Sequence, residues 1–325
     1  MSFINIFHIK TDEDFNNHCI DIFKLQVATI QPYHDFVHHL GIKPDLITHY
    51  LQIPFLPVEF FKSHYIIEDK TYADVTFTSS GTTGTITSKH PVHDIKIYEN
   101  SYFKGFEQFY GKVGDVCILA LLPNYLERDG SSLIYMVNDL IQKSKHPESG
   151  FFLYNHKELH QTLISIKNKK QKTVLIGVTY ALLDFLEHFK IDFPELTVME
   201  TGGMKGKRKE MIREELHHVL CKGFNVKSIH SEYGMTELLS QAYSLGDGIF
   251  NTPKWMKILI RDTNDPFTYL ENSKSGGINV IDLANIHSCS FIATQDLGKI
   301  YPNGSFEVLG RFDDSDIRGC NLMVS

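Results

Sequence analysis

The stretch FTSSGTTGTITSKHP, residues 77–91, carries two glycines three positions apart within a run of serines and threonines. Glycine lets the backbone approach a ligand closely, so that neighbouring N–H groups can converge on an anion. Hydroxyl groups add donors for phosphate oxygens and oxygen ligands for Mg²⁺. The stretch therefore predicts a phosphate-binding loop, with a solvated Ser/Thr-rich turn as the alternative because the sequence is not a Walker A motif. The predicted loop residues are Ser79, Ser80, Gly81, Thr82, Thr83, Gly84 and Thr85.

The composition is typical of a soluble globular protein. The 325 residues are enough for one large domain or two ordinary ones, and 42% are hydrophobic against 22% charged. A net charge of −7 argues against a nucleic-acid-binding protein, which would present a basic face. We expect no membrane span and no signal peptide, because no run approaches about 18 uncharged apolar residues and the N-terminus lacks a basic flank before an apolar core.

The cysteines indicate the compartment. There are five, they are far apart and they form no CxxC pair. This pattern excludes a zinc ribbon and disfavours a disulfide framework, so a cytoplasmic protein is expected. The 17 histidines show no HExxH or comparable metal spacing, so no zinc site is predicted.

Hydrophobic periodicity divides the chain into three regions. Residues 1–70 are predicted to be a mostly helical N-terminal part. In 71–245 strands alternate with helices, which predicts an α/β core with a parallel sheet flanked by helices. From 246 to 325, short strands separated by turn residues predict an antiparallel sheet or distorted β-barrel. Two finer expectations are a charged amphipathic helix over 205–220 and a buried face on the first helix formed by Phe15, Cys19, Ile22 and Phe23.

Several predicted strands run into glycines or acidic residues. These segments are METGGMKGK (199–207), EYGMTELLS (232–240), TQDLG (294–298) and GRFDDSDIRG (310–319). Open α/β sheets bind ligands outside the carboxyl ends of their strands. There the Glu237 carboxylate could hold Mg²⁺, and the Tyr233 ring could pack on a nucleobase.

Taken together, SSGTTG, YGMTE, TQDLG and GRFDD, in this order, resemble the motifs of the adenylate-forming superfamily of acyl-CoA synthetases. The resemblance covers about residues 75–325. Within that superfamily, residues 121–141, TGGMKG (201–206) and the final GCNLMVS are similar to the acyl-protein synthetases of bacterial bioluminescence, the LuxE-type family. The resemblance implies that fold's large domain, ATP and Mg²⁺ as cofactors, and a carboxylic acid substrate, a fatty acid in the LuxE-type family, activated as acyl-AMP.

The resemblance also implies roles for individual residues. The Ser79–Gly84 loop, with Ser80, Gly81, Thr82 and Thr83, would bind the β- and γ-phosphates of ATP, with Thr82 near the Mg²⁺. Gly202 and Gly203 would line the adenine site and Tyr233 would stack on the base. Thr236 would contact the α-phosphate and Glu237 would hold Mg²⁺. Asp296 would accept hydrogen bonds from the ribose hydroxyls, and Arg311 would contact the ribose or a phosphate. His230 is a further candidate for lining the acyl-adenylate pocket.

The chain departs from the family pattern in two places. Thr87 stands where most members carry a lysine after the glycine loop, and Lys89 follows two residues later, either reaching the phosphates or lying on the surface. The sequence also stops at the hinge motif, so the C-terminal small domain and its catalytic lysine are expected to be absent. Lys205 is the candidate replacement cation, with a solvated surface lysine as the alternative.

Cys320 is the candidate acyl carrier. Its thiolate could attack an acyl-adenylate to give a thioester, and the neighbouring Arg318 would lower the pKa of the thiol. In the LuxE-type family a cysteine near the C-terminus carries the acyl group, which a partner acyl reductase or carrier protein then receives. A passive thiol in the tail is the alternative.

Three functions remain open on the sequence. The first is an acyl-protein synthetase that uses Cys320. The second is a ligase of the CoA or carrier-protein type, truncated or working with a separate C-terminal domain, in which Cys320 is incidental. The third is a non-catalytic nucleotide or acyl binder, although a pure binder has less need of the Glu237 carboxylate.

Overall fold

A computed structural model describes residues 5–79, 86–123, 130–202, 208, 211–271 and 273–312. The helices in these ranges are α1 (Asp12–Thr29), α2 (Gln31–His39), α3 (Phe60–Ser63), α4 (Ile95–Tyr110), α5 (Ser132–Ser144), α6 (His156–Lys169), α7 (Thr179–His188) and α8 (Arg213–Phe224). The strands are β1 (Leu56–Pro57), β2 (Val75–Thr78), β3 (Lys89–Val92), β4 (Cys117–Leu121), β5 (Gly150–Phe151), β6 (Thr173–Val178), β7 (Thr197–Thr201), β8 (His230–Tyr233), β9 (Ala242–Ser244), β10 (Ile249–Asn251), β11 (Met256–Arg261), β12 (Ser275–Asp282), β13 (Phe291–Ile300) and β14 (Phe306–Arg311).

One large sheet organises the fold. Its strand order is β11-β12-β13-β14-β10-β9-β8-β7-β6-β4-β5, with β1 paired to β13, while β2 and β3 form a separate hairpin. β5, β4, β6, β7 and β8 are mutually parallel. From β8 to β9 the pairing becomes antiparallel and remains so through β10, β14, β13, β12 and β11. The predicted α/β fold is confirmed, and the antiparallel strands continue the same sheet.

The parallel strands β4 and β6 form the centre of the core. Every residue of both strands is buried, as the apolar sequence around residues 115–123 predicts for a sheet covered on both faces. Cys117 lies inside β4, where burial raises the pKa of its thiol to about 11. The thiol is therefore protonated at neutral pH and serves as a small apolar core residue.

The first helix has the predicted buried face. Phe15, Cys19, Ile22 and Phe23 are all buried in α1. Thr11 begins the helix as its N-cap, and it forms a capping box with Asp14. Among the described helices, none is long and apolar enough to cross a bilayer.

The charged helix predicted over 205–220 begins later than expected. α8 starts at Arg213, and Met211 and Ile212 precede it in an extended connection. Glu214 and Glu215 occupy the first turn, where carboxylates complement the helix dipole. The lysine-rich residues before them carry charges that oppose that dipole, and the prediction from helical periodicity did not take this into account. Residues 203–207 and 209–210 lie outside the described residues.

A buried glutamine attaches the N-terminal helix to the antiparallel half of the sheet. The Gln26 amide on α1 donates to the carbonyl oxygens of Asn285 and Ile286 at 2.8 and 3.0 Å and to Ser290 Oγ at 3.0 Å. Its own carbonyl accepts from the Ser290 backbone N–H at 3.1 Å. Since Gln26 is fully buried, it satisfies groups in the turn between β12 and β13 that have no access to water.

Replacing Gln26 with leucine tests this attachment. Gln26→Leu keeps the side-chain volume but leaves buried carbonyl and N–H groups unpaired, so we expect the free energy of unfolding to fall by roughly 2 kcal/mol or more. Urea denaturation measures the change. The control is Gln31→Leu, because the Gln31 amide makes one exposed hydrogen bond to Asp35 and its loss should change stability little. Equal effects of the two substitutions would contradict the anchoring role of Gln26.

Candidate active site

The candidate site lies where β8 ends and the sheet changes from parallel to antiparallel pairing. Tyr233 is the last residue of β8, and a loop of residues 234–241 leads to β9. We call residues 234–241 the switch loop. A change in sheet topology leaves a crevice at the carboxyl ends of the strands, which is where open α/β sheets bind ligands. The switch loop contains Thr236 and Glu237, two of the predicted site residues.

Tyr233, Asp296 and Arg311 are in direct contact, although they come from three strands. The Tyr233 hydroxyl donates to Asp296 Oδ2 at 2.8 Å, and Arg311 Nε lies 3.2 Å from Asp296 Oδ1. Asp296 on β13 and Arg311 on β14 are paired across the strands, so the backbone register fixes their contact. The Arg311 side chain is 68% exposed, which leaves its guanidinium accessible to a ligand. The sequence motifs TQDLG and GRFDD therefore meet beside YGMTE.

The Tyr233 ring is largely enclosed by protein. It packs edge-on against Phe250 and Phe306, with ring centroids 6.0 and 5.6 Å away, and only 9% of the residue is exposed. Burial raises the pKa of the hydroxyl well above its usual range, with the Asp296 charge adding to the effect. The hydroxyl is therefore a permanent hydrogen-bond donor, and its present acceptor is Asp296.

Glu237 connects the switch loop to the base of the glycine loop. Its carboxyl is hydrogen-bonded by Ser88, and Ser88 N–H donates to Ser79 Oγ at 2.9 Å. Ser79 N–H in turn donates to the Ser88 carbonyl oxygen at 3.1 Å, so the two ends of the glycine loop are held together. Burial raises the pKa of Glu237, while the Ser88 hydrogen bond and the charges of Arg311 and Lys62 oppose the rise.

Two side chains from distant parts of the chain fix the backbone of the switch loop. His90 Nδ1 donates to the Thr236 carbonyl oxygen at 2.8 Å, and Asn285 Nδ2 donates to the Glu237 carbonyl oxygen at 2.8 Å. Burial lowers the pKa of His90 to about 4, so the imidazole is neutral at physiological pH. These hydrogen bonds hold the backbone of Thr236 and Glu237 in one position.

A buried carboxylate fixes the second half of the switch loop. Asp282, at the end of β12, accepts the backbone N–H groups of Leu239 and Ser240 at 2.7 and 2.9 Å. It also accepts the Ser240 hydroxyl at 2.5 Å and the Ala284 N–H at 3.1 Å. Burial raises the pKa of Asp282 to about 6 against the effect of these donors. The group is therefore ionised at neutral pH, and its donors compensate the buried charge.

Gly202 closes another side of the same crevice. It follows β7, its carbonyl oxygen accepts the Thr179 hydroxyl at 2.6 Å, and its φ of +63° favours glycine. Together with residues of the switch loop it lines a cleft of about 780 Å³, counting the space that is open to solvent. The switch loop contributes Gly234, Thr236 and Gln241 to the lining, and the other sides include Thr78, Tyr98, Ser131, Thr201 and Glu232.

Several predicted residues lie outside the described part of the chain. They are Ser80, Gly81, Thr82, Thr83, Gly84 and Thr85 of the glycine loop, Gly203, Lys205, Arg318 and Cys320. Of the remaining predictions, Lys89 is exposed on β3 opposite Thr78. His230 is partly buried, and its Nδ1 lies 3.3 Å from the Tyr110 hydroxyl, so it contacts a helix rather than the described cleft lining.

Sequence reasoning missed His90, Asp282 and Asn285. They act on the switch loop over separations of 42 to 146 residues. The available signal was weak: Asp282 and Asn285 are polar residues in the otherwise apolar segment at the end of β12. Lys62 on α3 was also missed, although its charge acts on Glu237.

The described residues fit a magnesium ion that arrives with a nucleotide. Glu237 offers one hard carboxylate ligand, and Mg²⁺ is usually bound through one or two carboxylates together with substrate phosphates and water. Within the described ranges, no group of three or more His, Cys, Asp or Glu residues could hold a metal by itself. The carboxylate of Glu237 is therefore compatible with the Mg²⁺ role predicted from the sequence.

Replacing Asp282 with asparagine tests the anchoring of the switch loop. The asparagine side chain would turn an NH₂ group toward the backbone N–H donors, so Asp282→Asn should lower the free energy of unfolding by about 2–4 kcal/mol at neutral pH. Asp265→Asn is the control, since Asp265 makes similar local hydrogen bonds to Phe267 and Thr268 in an exposed turn. Thermal denaturation measures both variants. The same small shift in melting temperature for the two would contradict this role for Asp282.

Solved structures that share this fold include adenylate-forming enzymes. ATP-bound MatB from Rhodopseudomonas palustris aligns with a TM-score of 0.56 and 16% identity over 75% of this chain and 49% of its own. The 2-hydroxyisobutyryl-CoA ligase in the postadenylation state, in complex with 2-HIB-AMP, aligns with a TM-score of 0.68 and 10% identity over 93% of this chain and 68% of its own. The luciferase-like enzyme from the nonluminescent mealworm Zophobas morio aligns with a TM-score of 0.52 and 15% identity over 76% of this chain and 59% of its own.

These alignments define how much of the structure this chain shares with the solved enzymes. This chain spans about half the length of MatB. No family model and no curated protein matches the sequence. At identities of 10 to 16% the likeness establishes the fold. The chain therefore has the α/β fold of the adenylate-forming enzymes.

Proposed function

We propose that this protein is an adenylate-forming enzyme that uses ATP and Mg²⁺ to convert a carboxylic acid into an acyl-adenylate. The observation that carries the proposal is the meeting of Tyr233, Asp296 and Arg311 next to Thr236 and Glu237 at one edge of the sheet. Three sequence motifs far apart in the chain supply these residues, and Ser88, at one end of the glycine loop, is hydrogen-bonded to Glu237. Their convergence beside one cleft supports a shared ligand.

Each group suits one part of ATP. The Asp296 carboxylate, oriented by Tyr233 and Arg311, offers acceptors for ribose hydroxyls. The exposed Arg311 guanidinium offers donors for the ribose or a phosphate. Thr236 lines the cleft and supplies a hydroxyl for the α-phosphate, and the glycine loop, whose ends at Ser79 and Ser88 are held together, supplies N–H groups for the β- and γ-phosphates.

The reaction needs little covalent chemistry from the protein. The substrate carboxylate attacks the α-phosphorus, the bond to the bridging oxygen of pyrophosphate breaks, and acyl-AMP and pyrophosphate result. Catalysis then depends on alignment and on stabilising the negative charge that develops on the phosphates. Glu237 would hold the Mg²⁺ that supplies part of this stabilisation, and Lys205 is the proposed additional cation.

The acyl acceptor is the finer part of the proposal. We infer that the Cys320 thiolate attacks the acyl carbonyl, expels AMP and carries a thioester to an acyl reductase or carrier-protein partner. The support is the likeness of the C-terminal sequence to the LuxE-type family and the adjacent Arg318, which would favour the thiolate. The four cysteines within the described residues are poorer candidates, because burial raises the pKa of Cys19, Cys117, Cys221 and Cys289.

A second candidate function is ligation of the acid to CoA. It is favoured by the structural likeness to 2-hydroxyisobutyryl-CoA ligase, one structure of which contains both 2-HIB-AMP and CoA. In that case Cys320 is incidental, and the adenylate passes to CoA instead of to the protein.

The nucleotide site can be tested by removing one hydroxyl. Tyr233→Phe frees Asp296 from its donor while the ring stays packed, so we expect the Kd for ATP with Mg²⁺ to rise about 3- to 10-fold in isothermal titration calorimetry. Tyr301→Phe is the matched control, because the Tyr301 hydroxyl donates to Glu307 at a similar 2.7 Å elsewhere on the sheet. Unchanged ATP affinity in Tyr233→Phe would count against ribose binding at Asp296.

The acyl acceptor can be tested by intact mass. After incubation with ATP, Mg²⁺ and mixed carboxylic acids, the protein should gain one acyl group that hydroxylamine removes. Cys320→Ser should lose this adduct while pyrophosphate is still released, and Cys221→Ser, at a partly exposed thiol, should keep it. If CoA thioester forms equally well with Cys320→Ser, the CoA ligase is correct. Without pyrophosphate release for any acid, the protein is a non-catalytic binder.

A further inference from the structure

Glu232 is a partly exposed acidic residue at the cleft that the proposed adenylation chemistry does not use. It precedes Tyr233 on β8 and lines the cleft together with Thr236 and Gly202. Thr201 Oγ1 donates to Glu232 Oε2 at 2.5 Å. The other carboxyl oxygen, Oε1, points over Gly234, where an added Cβ would overlap with it. Gly234 therefore leaves the space into which this oxygen extends.

Gln241 brings a second acceptor to the same cleft. It is 6% exposed, it lines the cleft, and its side-chain Oε1 is buried with no hydrogen-bond partner. Its Cγ would lie 3.4 Å from a Cβ at Gly234, so Glu232 and Gln241 approach each other across this glycine. A buried carbonyl without a donor costs free energy, which a ligand that donates a hydrogen bond would recover.

The charges around the cleft favour a positive or donating ligand. Among its described lining residues there is no lysine, arginine or histidine, and Glu232 is the sole aspartate or glutamate. A second carboxylate, Glu200, lies close enough to raise the pKa of Glu232, and the Glu232 charge in turn raises the pKa values of Tyr98, Tyr110 and Tyr243. The described lining therefore offers a partly exposed carboxyl with no cationic partner among the lining residues.

We propose that Glu232 and Gln241 select the acid substrate by accepting hydrogen bonds from a donating substituent, an ammonium or a hydroxyl group. The inference rests on the proposed function, because the substrate carboxylate must lie near Thr236 while its substituent reaches Glu232. It narrows the substrate class from carboxylic acids in general to amino or hydroxy acids. An unsubstituted fatty chain would leave both acceptors unpaired, which costs affinity.

The protonation state of Glu232 should affect binding of an ammonium group and binding of a hydroxyl group differently. Burial raises the pKa of Glu232 to about 7, the Glu200 charge adds to the rise, and the Thr201 hydrogen bond opposes it. Above that pH the carboxylate is ionised and attracts an ammonium group, whereas below it the carboxyl is neutral. The KM for an amino acid should therefore fall as pH rises through about 7, while the KM for a hydroxy acid should change less.

The test measures ATP–pyrophosphate exchange with matched acids. The sets are alanine, lactate and propanoate; aminomethylbenzoate, hydroxymethylbenzoate and methylbenzoate, in which the amino group is an ammonium at neutral pH; and straight-chain acids up to palmitate. The substituted member of at least one set should have the lowest KM. Glu232→Gln should raise the KM for the amino acid roughly 10- to 100-fold with a smaller change in kcat, and the KM for the hydroxy acid only a few-fold. Gln241→Leu should weaken binding of both the amino acid and the hydroxy acid.

The controls keep the outcomes distinct. Glu215→Gln, on the exposed face of α8, should leave every constant unchanged. ATP affinity, measured separately, shows whether Glu232→Gln has folded. Exchange that is best with unsubstituted acids and unaffected by Glu232→Gln overturns the substrate assignment and leaves the adenylation proposal standing. Exchange with no acid at all overturns the adenylation proposal, and the substrate assignment with it.

Discussion

The Asp282 carboxylate joins the antiparallel half of the sheet to the switch loop. It accepts two backbone N–H groups and one hydroxyl from Leu239 and Ser240, all within 2.9 Å. An ionised group buried at 0% exposure is tolerated only because these donors replace water. Without it, the backbone of Leu239 and Ser240 would lose its buried acceptor, and the position of Thr236 and Glu237 would depend on the hydrogen bonds from His90 and Asn285 alone. The conformation of the switch loop, and with it the geometry of the candidate site, depends most on this interaction.

Three carboxyl groups around the switch loop, two of them buried and one partly exposed, differ in how their charge is compensated. Asp282 has a full set of neutral donors. Glu237 has a hydrogen bond from Ser88 and the charges of Arg311 and Lys62. Glu232 has one hydroxyl donor and an acidic neighbour, Glu200. Asp282 is therefore a structural anion, and Glu237 suits a cation that arrives with the phosphates. The charge of Glu232 would be compensated by the substrate.

The sequence predicted the elements better than it predicted their contacts. The apolar runs of β4 and β6 and the amphipathic α1 follow from local periodicity, and the motifs containing Tyr233, Asp296 and Arg311 can be recognised from the sequence without their contacts. His90 and Asn285 could not be assigned, because their hydrogen bonds to the switch loop depend on how distant strands pair. The start of α8 was misplaced because helical periodicity continues through residues that oppose the helix dipole. The sequence did not predict that Glu232 lines the cleft, because the other residues of its motif, Tyr233 among them, already account for a nucleotide site.

The most direct test of adenylate formation is Mg²⁺-dependent exchange of labelled pyrophosphate into ATP by the full chain, with and without carboxylic acids. We predict exchange that requires both the acid and Mg²⁺ and that falls at least about 100-fold in Glu237→Gln, since charge stabilisation of a phosphoryl transition state contributes several kcal/mol. The matched control is Glu271→Gln, at an exposed surface carboxylate. Exchange that is absent with every acid, or unchanged in Glu237→Gln, would contradict the account.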